Sequence, residues 1–113
     1  MQKRRAYKWL FWGSVATVLL LSLVPVSAPS SFSWQDKVHH FIAYAFLCWL
    51  AIRGYGDDYS GPQIGAALIF LGLSVELVQS YTGYRYAERA DVVANSAGVI
   101  VVITMVYLRR YFK

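Results

Sequence analysis

His40, Glu76 and Asp91 carry the side chains of this chain most readily turned to catalysis. A histidine exchanges protons near neutral pH, and a carboxylate beside it fixes its orientation. Lys37 and Arg85 offer complementary chemistry. Arginine grips a phosphate through a two-pronged fork and lysine meets it as a point charge, so the two could hold phosphoryl charge. Asp36, Tyr44, Gln79 and Asn95 complete the candidate binding set. Ser80 and Ser96 stand nearby, but neither sits in a nucleophile motif. His40, Glu76 and Asp91 could hold a metal that activates water, yet no HExxH or similar spacing occurs, and no metal or cofactor is assigned. The catalytic residues, if any, are therefore unknown.

Spacing groups these residues. Lys37, His40 and Tyr44 follow the i, i+3, i+7 rule of one helical face, and Asp36 joins it through its i+4 relation to His40. His39 is turned about 100° away. Glu76 and Gln79 are i, i+3 neighbours, and Asp91 and Asn95 are i, i+4 neighbours. Gly98 continues from Asn95 and, with Ala94, would let a second helix come close.

The elements that must position these groups are apolar. Of 113 residues, 58% are hydrophobic, 17% aromatic and only 15% charged. That excludes a disordered tail and a disulfide scaffold, and disfavours an ordinary soluble domain. Cys48, the one cysteine, is expected to pack as a buried thiol. Four apolar stretches, at residues 9–25, 38–53, 63–81 and 92–109, approach the roughly 20 residues that cross a bilayer as helix. Runs such as ALIFLGL and VIVVITMV lack the alternation of barrel strands. The expected fold is all-α, a polytopic four-transmembrane-helix bundle forming a single domain over residues 1–113.

Charge sets the orientation. Eight of the eleven basic residues fall on one side of a four-span chain: Lys3, Arg4, Arg5, Lys8, Arg53, Arg109, Arg110 and Lys113. The positive-inside rule then makes both termini cytoplasmic, and the net charge of +5 reads as topological rather than as a nucleic-acid surface. Val26-Ser27-Ala28 after the first apolar run resembles a signal-peptidase site, but Pro29 and a long apolar core favour a retained first span. Asp57 and Asp58 read as a solvated turn. The candidate set falls wholly at the outer side, with Glu76 roughly 7 Å and Asn95 roughly 6 Å inside the boundary. Charged groups at such depths are costly and usually face the bundle interior.

The chain resembles the VanZ-like family of small bacterial membrane proteins. The resemblance rests on Asp36-Lys37-x-x-His40-Phe41-x-x-Tyr44, Glu76-x-x-Gln79, Arg85 and Asp91-x-x-x-Asn95-x-x-Gly98, with six residues from Gln79 to Arg85 and six from Arg85 to Asp91. It covers residues 36–98. Gly83-Tyr84 stands where the family often has Pro-Gly, and Glu88 and Arg89 lie outside the pattern. The resemblance implies a multi-pass protein of the bacterial cytoplasmic (inner) membrane and an influence on teicoplanin tolerance; it implies no reaction.

Three roles are open to the polar set. It could clamp helix ends together, bind an envelope lipid or cell-wall intermediate at the outer face, or act on a lipid-linked phosphate with His40 as acid or base. The expected partner is a membrane lipid or lipid-linked intermediate, with a second copy or another membrane protein as the alternative.

Overall fold

The apolar runs fold as helices, including the β-branched VIVVIT stretch of the last one. Such residues favour strands where a pleated surface is available; a helix instead satisfies every backbone group within one segment. The computed structural model describes residues 2–23, 34–82 and 89–112. They form α1 (Gln2–Leu23), α2 (Trp34–Tyr55), α3 (Gly61–Thr82) and α4 (Arg89–Phe112), with no strand among the described residues. At 22 to 24 residues, each helix is about 33–36 Å long. α2, α3 and α4 overrun the expected stretches at both ends, and α1 begins seven residues before its stretch. The basic residues Lys3, Arg4, Arg5 and Lys8 lie within α1, not ahead of it.

The helices alternate in direction, so α2 and α4 run parallel to each other. This non-sequential pair has the broadest interface, with α1 packed on α2 and α3 on α4. Among the described residues α1 and α4 do not meet. The α2–α4 contact is close because Gly98 is buried against α2 backbone, and a Cβ there would collide with the Phe41 carbonyl oxygen. On α3, Gly61, Gly65 and Gly72 present one face to α4 and meet Ile103, Ile103 with Val99, and Asn95 in turn. Small residues at such seams let helices gain dispersion contact where no water is expelled. The core runs between them through Tyr44, Leu47, Cys48, Leu68 and Val99.

One end carries the helix termini richest in basic residues and is called the basic end below. There α2 closes with the Gly56 amide donating to the Ile52 carbonyl at 2.8 Å. Ser60 and Gln63 then form a reciprocal capping box: the Gln63 amide donates to Ser60 Oγ at 3.2 Å and the Ser60 amide to Gln63 Oε1 at 2.9 Å. Arg53, Arg109 and Arg110 in the last turns of α2 and α4 complement the helix dipoles.

The outward surface is apolar on all four helices: Trp9, Leu20, Ile42, Phe70, Leu77 and Met105 are all exposed. Among the described residues two helical stretches, Gly61–Gln79 and Val92–Arg110, are long and apolar enough to cross a membrane. Only 22% and 17% of them are buried within the bundle. The core helix of a water-soluble domain would hide most of such a stretch.

Candidate polar binding site

Among the described residues three polar side chains are buried, Lys37, Gln79 and Asn95, exposed by 7%, 4% and 5%. All three belong to the set picked out by residue type and spacing. They come from α2, α3 and α4 and gather toward the end of the bundle opposite the basic end. The direct link is between His40 and Asn95, whose Nδ1 and Oδ1 are 3.1 Å apart. The amide oxygen can only accept, so in this bond the imidazole donates from Nδ1. The bond joins the parallel α2–α4 pair across 55 residues of sequence.

Tyr44 closes the next level down. It is 1% exposed, one helical turn below His40. A Cβ built on Gly72 would stand 3.1 Å from Asn95 Nδ2 and 3.7 Å from Tyr44 Cε2. α2, α3 and α4 therefore converge on the space that Gly72 leaves open. Moving seven residues from this level toward the far end, about 10 Å of helix, reaches Lys37 on α2 and Gln79 on α3. The two buried polar groups thus lie at one height, above the His40–Asn95 link. Both make polar contacts within the protein. Glu76, one turn below Gln79, is half-buried, and its carboxylate forms no ion pair with another described residue.

His39 is exposed on the opposite side of α2, as its 100° offset requires. Cys48 is fully buried, with Sγ 3.8 Å from the Val99 carbonyl oxygen. Arg85 and Glu88 lie outside the described residues, and of Asp36, Asp91 and Arg89 only the helical backbone positions are described. No cluster of three His, Cys, Asp or Glu able to hold a metal occurs among the described residues.

Residue-type reasoning missed the packing partner of the site. Gly72 and Gly65 sit in an apolar helix with no ionisable neighbour to draw attention to them. The signal was their alignment with Gln79 on one face, at seven-residue steps from 65 to 72 to 79. It also missed how the basic end is tied. Arg4 pairs with Asp58 at 2.8 Å and approaches Asp57 at 3.7 Å, so the exposed acidic turn is held as well as solvated.

The arrangement can bind. It gathers a buried lysine, an imidazole bonded through Nδ1 and two amides at one end of an apolar bundle. No protein-family model, no curated protein and no solved structure matches the chain.

Proposed function

We propose that the chain is a four-span protein of the bacterial cytoplasmic membrane, similar to the VanZ-like family, with both termini cytoplasmic. Its outer-leaflet polar site binds the anionic head group of an envelope lipid or lipid-linked cell-wall intermediate. The observation that carries this is the burial of Lys37 level with Gln79 and one turn above the His40–Asn95 bond. A buried lysine is costly in an apolar bundle, and such residues mark binding paths more often than scaffolding. The apolar outer surface of all four helices, and the basic residues at one end, support the placement in a bilayer. Arg85, six residues from both Gln79 and Asp91, would add a fork for phosphate.

Lipid co-purification from native nanodiscs tests this. Wild type is expected to enrich one anionic or polyprenyl lipid. Lys37→Met and Arg85→Ala are expected to stay monodisperse and lose it, with a matching fall in teicoplanin tolerance. Unchanged lipid in both variants would overturn the proposal. Arg85→Lys keeps the charge without the fork, so full enrichment there would remove the bidentate contact. Reporter fusions at residues 1, 57 and 113 against 30 and 86 test the topology.

The His40–Asn95 bond favours a second role, a polar clamp between α2 and α4. In that case His40→Ala lowers the yield of folded protein and leaves the lipid profile alone.

A further inference from the structure

α1 and α3 meet only sparsely, and a groove of about 480 Å³ opens between them over α2. Trp12 and Val15 form one wall, Leu68 and Leu71 the other, and Ala51 of α2 the floor. The groove runs from Tyr59 and Ile64 near the basic end to Ser74 past mid-bundle, and none of the polar-site residues lines it. We propose that it holds an acyl chain of an anionic phospholipid from the leaflet on the basic side, with the head group at Lys8. This rests on the bilayer placement proposed above.

Dimensions favour a hydrocarbon chain as the occupant. From Ile64 to Ser74 the groove wall runs about 15 Å, which is half of a hydrocarbon core about 30 Å thick. Two polar groups of the lining are already engaged within the protein. Trp12 Nε1 donates to the Tyr55 hydroxyl at 2.7 Å, and Ser74 Oγ to the Phe70 carbonyl at 2.9 Å. An apolar occupant therefore strands neither group.

Charge at the mouth selects the head group. Lys8 lies one turn before Trp12 on the same face of α1, and its Nζ sits 4.8 Å from the Tyr55 ring centroid. Arg4 is neutralised by Asp58, whereas Lys8 forms no ion pair with a described acidic residue. Lys3, Arg5 and Arg53 add positive charge at the same end. A phosphate without a compensating amine suits this mouth; a zwitterionic head group does not.

Native mass spectrometry of the full-length protein, titrated with dioleoylphosphatidylglycerol or dioleoylphosphatidylcholine, tests the site. Wild type is expected to retain the glycerol lipid preferentially. Ala67→Phe places a ring in the groove from an exposed position, so the protein folds and that retention disappears. Lys8→Met keeps the stem that packs on Gly54 and removes the charge, lowering the preference about fivefold. Loss of the preference in Lys37→Met with the preference kept in Lys8→Met would place the bound lipid at the far-end site and overturn the proposal. Equal retention of the two lipids, or full retention in Ala67→Phe, would overturn the proposal. So would a dimer mass that Ala67→Phe converts to monomer, which assigns the groove to a second copy. Alkaline extraction of membranes separates the two levels: protein that stays in the membrane without the lipid preference sinks the groove alone. Protein released from the membrane sinks the bilayer placement and the groove with it.

Discussion

The two ends of the bundle use polar residues in opposite ways. At the basic end the charges sit on the surface and pair there: Arg4 with Asp58, Lys8 over Tyr55, and Arg53 over Tyr7 and Trp49 at 5.3 and 5.7 Å. At the far end the polar groups are inside, and the bond that can be traced joins two helices through the core. Exposed ion pairs contribute about 0–1 kcal/mol because water and salt screen them. A buried polar group costs more than that when its partner is lost. The basic end is therefore tolerant of substitution, whereas the far end is demanding about geometry. A region that spends stability on such demands is where a ligand is to be sought.

Substitutions at the two ends should break this contrast in order. The largest effect is expected at Gly98, where the obstruction is backbone. Gly98→Ala forces α2 from α4 and should cost about 3 kcal/mol, at the upper end of overpacking penalties, with loss of the folded species on detergent gel filtration. Next is the polar link. His40→Ala or Asn95→Ala should each cost about 1–3 kcal/mol in denaturant titration, since each strands its partner. A double-mutant cycle on the pair should give about 0.6–1.7 kcal/mol of coupling. Gly65→Ala meets only the mobile end of Ile103 and the edge of Val99, so a cost below about 1 kcal/mol is expected, reduced by adding Ile103→Val. Smallest is Arg4→Ala, at about 0–1 kcal/mol, and the Arg4–Asp58 coupling should vanish in high salt. Asn95 carries no charge to screen, so a far-end coupling that falls as steeply with salt would erase the proposed distinction.

Much of the architecture was legible because apolar length and helical period are local properties. Four helices appear where four apolar stretches stand, and Lys37, His40 and Tyr44 share a buried face as their spacing predicts. The helix ends were less legible. Charged residues at 2–8 and 34–37 mark the boundary of an apolar run, but a helix continues through them while its backbone bonds do. Partner choice was not legible at all. Nothing in a run of apolar residues says that α2 takes α4 and not α3 as its main neighbour, because that depends on where Gly98 and Gly72 face in three dimensions. The groove was hidden for the same reason: it is a property of how far α1 and α3 stand apart.

The parallel α2–α4 pair has a consequence for biogenesis. Chain order delivers α1 and α2 first, as a hairpin whose Lys37, His40 and Tyr44 face still lacks its cover. Among these four helices α4 follows the other three, and it brings Asn95 and Gly98 to that face. The polar centre is thus completed only once α4 has joined the earlier hairpin. A chain that stops short of α4 lacks the Asn95 acceptor for His40 and the Gly98 surface that lets a second helix approach that face.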